Sequence, residues 1–454
     1  MYSDLSYLSV NLPEDIEKLK WSGNFEAELR VIEKRLKKDL PLAMKKRLEL
    51  EREIVKILPL DYPYTREEAI REANDAILDF SEAEFDEWQD QDAVDWIYVN
   101  GEIRYKDDFI ANLIKTRPAI TARVRHPQSS EGKRKNFALL DETIASMKKK
   151  GSLSYHIRIR STLTVQPDSV REGAPITVHL PIPSAGAQAK KIRILSVSPE
   201  PFLVAPDDAP QRTVCFREAL KPGQEFTVEY EYDNSVDYAD PKPEKAATEQ
   251  PDFKTGEQAP HIVFTPYLRS LTAEIVGDEQ NPVRKARRIY DFVTTKVMYS
   301  FVRSYFAITN IPEYAASGLK GDCGVQALLF ITLCRCAGIP AEWQSGLYVT
   351  PLDIGSHDWA RFYVAPYGWL FADCSFGGAA YREGAEERWN FYFGNVEPFR
   401  MPANSGFQQE FTPAKRFLRN DPYDNQNGEA EYEDRPLANG EYKTKHTVVE
   451  IREI

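Results

Sequence analysis

Five cysteines, Cys215, Cys323, Cys334, Cys336 and Cys374, are the candidates for nucleophilic chemistry in this chain, and the setting of Cys323 separates it from the rest. It follows Gly321-Asp322 and precedes an apolar run, 324–334, closed by Gly338 and Pro340, the length and stop signals of a buried helix. Cys323 is therefore expected on the first turn of that helix. There, unpaired N–H groups and the positive end of the helix dipole favour a thiolate and lower a thiol pKa that is ordinarily about 8.5. His357 opens an aromatic and β-branched stretch, 357–364, and Asp373 lies at the end of a second, 369–374, across the turn 365–368. That pattern predicts a β-hairpin. Side chains alternate along strands, so a register with Tyr363 opposite Trp369 puts His357 and Asp373 on one face as diagonal neighbours, within reach of an imidazole-to-carboxylate hydrogen bond. A one-residue slip would part them.

Gly-Asp-Cys at a helix start, Ala-Gly-Ile-Pro-Ala (337–341) at its end, His-x-Trp (357–359) on a strand and Gly-Trp-x-x-x-Asp (368–373) on the next resemble the transglutaminase-like cysteine enzyme superfamily. The four motifs stand in the right order over 281–378. The resemblance implies that Cys323 is the nucleophile, His357 the general base and acid, and Asp373 the group that orients the imidazole. It also implies an aromatic residue upstream of the nucleophile, and Tyr299, in the strand-like stretch 296–302, is a candidate for oxyanion stabilisation. The expected reaction is acyl transfer through a thioester, as a protease or amidase acting on a peptide or protein substrate. Cross-linking of Gln to Lys is the alternative, and a non-catalytic peptide-binding scaffold a third. Arg361 and Cys374 stand where bacterial members often carry Glu and Pro.

The elements that must position these residues follow from patterning. The expected fold class is α+β: a papain-like or transglutaminase-like core preceded by a helical N-terminal region and a β-sandwich. Residues 1–150 are mainly helical, with Leu29, Ile32, Leu36 and Leu40 at helical spacing and a capping box at 65–68. Residues 117–135 are expected to be a connecting loop, followed by a helix carrying Phe137, Leu140, Ile144 and Met147. From Gly151 the period changes to two: Tyr155, Ile157 and Ile159; Ile176, Val178 and Leu180; Phe226, Val228 and Tyr230. This predicts a β-sandwich over 151–237, with His156 and His179 facing solvent. A linker (238–260), the catalytic core (261–380) and an aromatic-rich extension over that core (381–454) complete the chain. In the core, Asn281-Pro282 opens a helix with Val283, Ala286, Ile289 and Val293 as its buried stripe.

Composition excludes several classes. The net charge of −12 argues against a nucleic-acid partner, because phosphate neutralisation needs clustered Lys and Arg. Hydrophobic content of 42% with 28% charged residues is that of a globular chain. No apolar run approaches the ~20 residues that span a bilayer, the N-terminus lacks a signal-peptide pattern, and an odd number of cysteines suits a reducing compartment; a cytoplasmic location is expected, with no membrane partner. Cys334, Cys336 and Cys374 could suggest zinc, but residues two apart on a helix point to different faces, so no metal and no cofactor are expected.

Overall fold

The computed structural model describes residues 5–126, 130–186 and 188–454. The N-terminal region packs helices such as Phe25–Leu36, Leu42–Ile57 and Arg66–Ala76, and Thr65 and Glu68 form the reciprocal capping box that starts the last of these. Two departures from the expected pattern occur here. Strands Trp96–Val99 and Glu102–Tyr105 pair as a hairpin, because Asn100 and Gly101, at φ +50° and +94°, supply the two positive-φ positions of a tight turn. The expected loop 117–135 is instead broken by helix Pro118–Thr121 and, from residue 130, by the start of helix Ser130–Lys150; residues 127–129 lie outside the described residues.

Two four-stranded sheets form the sandwich. One has the order Tyr442–Glu453, Ser152–Val165, Glu225–Asp237, Ala189–Ser198; the other Glu429–Tyr432, Pro175–Pro181, Thr213–Ala219, Leu203–Val204. Each is thus completed at one edge by a strand from the far C-terminus, so 429–453 belongs to the sandwich and not to a layer over the core. The period-two residues Ile157, Ile159, Leu163, Val178, Val228 and Tyr230 meet in one apolar core. That core continues into Leu347, Val349, Met401 and Ala403 of the neighbouring sheet, which ties the sandwich to the next domain through apolar contact rather than through the linker alone.

His179 is a correction. It is 1% exposed, not solvent-facing, because 411–419 covers the outer face of its sheet: its ring stacks on Phe411 at 4.6 Å and its Nδ1 is hydrogen-bonded to Thr213 Oγ1. His156 does sit at the polar face, paired with Asp233 at 2.8 Å.

The third unit is a five-stranded antiparallel sheet of order Phe393–Gly394, Gly368–Ala372, Ile354–Val364, Ala341–Val349, Arg400–Asn404. Against it lies the central helix Cys323–Cys336, whose residues from Gly324 to Cys334 are all buried. A helix apolar all round needs cover on every side. Here the sheet covers one side, with Phe330 against Phe362 at 5.7 Å, and helices Pro282–Lys296 and Ile311–Gly318 belong to the same apolar cluster. Helix Pro282–Lys296 is capped by Asn281 and buries the expected stripe. The central helix ends where Gly338, at φ +79°, lets Ile339 N–H return to Cys334 O. Among the described residues no helix is long and apolar enough to cross a membrane.

The buried histidines make stability depend on pH. His179 and His261 are both lowered to about 3, chiefly by burial, whereas in the unfolded chain each titrates near 6.5. Between those values the unfolded state binds more protons, so stability should fall as pH drops below about 6.5, by up to about 1.4 kcal/mol per pH unit for each histidine. Urea unfolding of the wild type and His179→Gln from about pH 7.5 to 4.5 should show a shallower slope in the variant.

Candidate active site

The central helix begins at Cys323, and Asp322 caps it, its Oδ1 accepting from Val325 N–H at 3.0 Å. Tyr305 donates its hydroxyl to the same Oδ1. Gly324 is required by this crowding: a Cβ there would lie 2.8 Å from Asp358 Oδ2 and would strike the Tyr305 hydroxyl. Cys323 is partly exposed, while Cys215, Cys334 and Cys374 are buried.

On the sheet, Tyr363 lies opposite Trp369. That register brings His357 and Asp373 together, Nε2 to Oδ2 at 2.7 Å. Asp373 has no exposed surface and all of its acceptor positions are engaged. Its Oδ2 also accepts from Arg400 at 2.8 Å; its Oδ1 accepts from Phe376 N–H at 2.9 Å, capping helix Cys374–Arg382, and from Ser375 Oγ at 3.1 Å. Burial alone would raise this carboxyl, but the charges of His357 and Arg400 bring it well below the carboxylate range. His357 is 5% exposed, and burial lowers its pKa against the opposing pull of Asp373. Among the described residues its Nδ1 has no hydrogen-bond partner.

Cys323 is joined to a different residue. Its Sγ lies 3.2 Å from Asp358 Oδ2, and the structure shows no hydrogen bond between Cys323 and His357. His357 and Asp358 are successive strand residues whose side chains leave opposite faces. The face of His357 carries Trp359 and Asp373; the face of Asp358 carries Ala360 and Phe362 and looks toward the central helix. The expected lowering of the thiol pKa is overturned accordingly: Cys323 is raised well above its ordinary value by desolvation, then by the neighbouring carboxyls of Asp358 and Asp322. Two adjacent acids outweigh the half-charge of a helix terminus.

Tyr299 stands where an aromatic was expected. Burial and then the nearby Cys323 raise its hydroxyl well above the ordinary tyrosine range, and its strand Met298–Tyr299 runs parallel to Lys320–Gly321, immediately before the nucleophile. The N-terminal region holds it there: Asn112 donates to Ser300 Oγ and accepts from Phe301 N–H, Asp61 accepts from the backbone and hydroxyl of Ser304, and Lys115 Nζ lies 3.9 Å from the centre of the Tyr299 ring.

The C-terminal stretch closes the other side, where Gln426 Nε2 donates to Asp358 Oδ1 at 2.5 Å and the Asp424 carboxyl stands beside Asp358. Patterning did not single out Asp358, Asp424, Gln426 or Lys115. Asp358 alone left a signal, since the alternation that pairs His357 with Asp373 turns it toward the helix. Arg361, where a Glu was expected, points away from Cys323: it pairs with Glu342 at 3.0 Å and stacks over Trp369, so its charge does not reach the site.

A cysteine at the start of a buried helix, packed on an antiparallel sheet that carries an imidazole–carboxylate pair, defines the core of a cysteine-enzyme class. Residues 269–374 match the family profile described as the transglutaminase-like superfamily, and the chain therefore carries a domain of that superfamily. An uncharacterised protein of Haemophilus influenzae is 25% identical over 137 residues, which cover 25% of this chain and 37% of that one. Among solved structures, a suspected cysteine protease from Cytophaga hutchinsonii is similar at a TM-score of 0.38 and 13% identity, covering 67% of this chain and 90% of its own. The periplasmic domain of TgpA from Pseudomonas aeruginosa is similar at 0.25 and 16%, covering 55% and 94%. Likeness at those scores says nothing of the reaction.

The site yields two stability predictions for chemical denaturation. Arg400→Met leaves Asp373 and Glu397 buried without their shared cation and should cost about 3–5 kcal/mol. Gly324→Ala forces Tyr305 and Asp358 apart and should cost about 1–3 kcal/mol.

Proposed function

We propose that the chain is a cysteine-dependent acyl-transfer enzyme that hydrolyses peptide or side-chain amides through a thioester on Cys323. The observation that carries this is the His357–Asp373 pair, with Nε2 engaged by the carboxylate, on the strand that meets Cys323 through the neighbouring residue Asp358; in the resting protein the imidazole and the thiol stand on opposite faces of that strand. Asp373 selects the tautomer and stabilises the imidazolium once it forms, and Arg400 keeps Asp373 itself ionised.

In the proposed reaction the resting site first rearranges so that thiol and imidazole meet on one side of the sheet, His357 Nδ1 then takes the Cys323 proton, and the sulfur adds to the amide carbonyl. The oxyanion is held by N–H groups at the start of the central helix and by the Tyr299 hydroxyl. Imidazolium then gives its proton to the nitrogen of the breaking C–N bond, amine leaves, and water, deprotonated by the same imidazole, releases the acid and restores the thiol. Absence of a resident metal is no part of this scheme, since every proton and electron pair is accounted for by the three side chains and substrate. A primary amine in place of water would give transamidation.

The test is incubation of the full chain with a peptide mixture, read by mass spectrometry with and without a labelled primary amine. New termini or Gln-to-Glu conversion are expected for the wild type. Cys323→Ala should abolish them, and His357→Ala should lower kcat by about 10²–10⁴-fold. Amine incorporation exceeding hydrolysis would replace hydrolase by transferase. Full activity in Cys323→Ala would overturn the thioester mechanism, and no turnover with no reaction of Cys323 toward thiol-directed activity probes would leave a binding scaffold.

A further inference from the structure

Asp358 is placed by more constraints than a surface carboxylate would be. It is 6% exposed, and each oxygen has a named partner: Oδ2 faces Cys323 Sγ at 3.2 Å and Oδ1 accepts from Gln426 Nε2 at 2.5 Å. Ser345 lies opposite it on the neighbouring strand, and the Asp424 carboxyl stands beside both Asp358 and Ser345. The absence of a side chain at Gly324 leaves the space into which Asp358 Oδ2 projects. Strand, helix start and C-terminal segment thus converge on one carboxyl whose outermost contact is the sulfur.

We propose that Asp358 is a positioning residue that holds the nucleophile at rest: its carboxylate accepts the Cys323 S–H, and the sulfur must leave it before it can act as a nucleophile. The inference rests on Cys323 being the nucleophile. The step is the movement of the sulfur off Asp358; no covalent bond to Asp358 forms or breaks, and Asp358 is unchanged at the end. At rest the thiol is kept from alkylating and oxidising agents, which react with the thiolate.

Other titratable groups face Asp358 and Cys323 from each packed element. Asp322 comes from the helix cap, Asp421 and Asp424 from the C-terminal segment, Tyr299 and Tyr305 from the stretch before the helix, and Lys115 from the N-terminal region. Four carboxyls and one ammonium surround the thiol. Burial and mutual repulsion raise Asp322 to about 6 and Asp358 to about 7, and two carboxyls side by side share a proton. Removing the Asp358 charge therefore lessens the repulsion of a thiolate without emptying the space.

The experiment is iodoacetamide alkylation of Cys323 in the full chain, followed by peptide mass spectrometry over a range of pH, for wild type and Asp358→Asn. Alkylation at neutral pH should be about tenfold faster in the variant, one pH unit of change in the thiol; an unchanged or slower rate overturns the proposal. Should Asp358→Asn fail to fold, thiolate absorbance near about 240 nm in wild type minus Cys323→Ala gives the answer on the native sequence. No Cys323 thiolate at pH 7 is expected, and its presence overturns the proposal. Neither readout needs turnover, so failure to cleave peptides would strike the acyl-transfer assignment alone.

Discussion

One buried oxygen, Oδ2 of Asp373, joins the imidazole of His357 to the guanidinium of Arg400. An ionised carboxyl with no exposed surface is tolerated only where cations and N–H groups replace its lost hydration. Those replacements come from three separate places: a strand interior, the sheet edge strand Arg400–Asn404, and the helix it caps, through a backbone N–H and a hydroxyl. Displacing any one leaves the others with an uncompensated charge. The imidazole is consequently fixed in orientation by charge pairing as well as by packing between Trp359, Tyr348 and Phe376.

That arrangement accounts for the large non-catalytic units. Arg400 is itself held through its backbone: its carbonyl accepts from Tyr232 and from Asn234, on the sandwich strand Glu225–Asp237. Gln188 and Gln344 exchange hydrogen bonds between the same two units, and Gln344 also accepts from the indole of Trp359. The sandwich is therefore continuous with the His357 side of the sheet. The helical region has the matching part on the Cys323 side, where Asn112, Asp61 and Lys115 clasp 299–304. Each buttress serves one face of a single sheet.

The sulfur lies between opposing fields. The terminus of the central helix offers it roughly half a positive charge, whereas Asp322 and Asp358, desolvated beside it, offer negative ones at short range. In surroundings of low polarity the nearer charges dominate, and the resting group is a thiol. Helix position by itself does not make a cysteine reactive; burial first, and then the sign of the side chains around it, decide.

Local patterning was sufficient wherever the determining forces act between residues close in the chain. The helix start at Cys323, its glycine-terminated end, the cap at Asn281 and the hairpin follow from periodicity and turn chemistry. The pleat narrows the hairpin to two registers, of which the folded sheet takes the one with Tyr363 opposite Trp369 that brings His357 to Asp373. What escaped depends on partners distant in sequence: the strands Glu429–Tyr432 and Tyr442–Glu453 that close the sandwich, the segment that buries His179, and the convergence of Asp424 and Gln426 on Asp358. The amino-acid sequence determined which side chains could react and on which strand face each would stand, because backbone geometry repeats every two or 3.6 residues. Only the tertiary structure decided that the sulfur meets Asp358 in the resting protein, because that contact is set by burial and by charges brought from far along the chain, which no local period encodes.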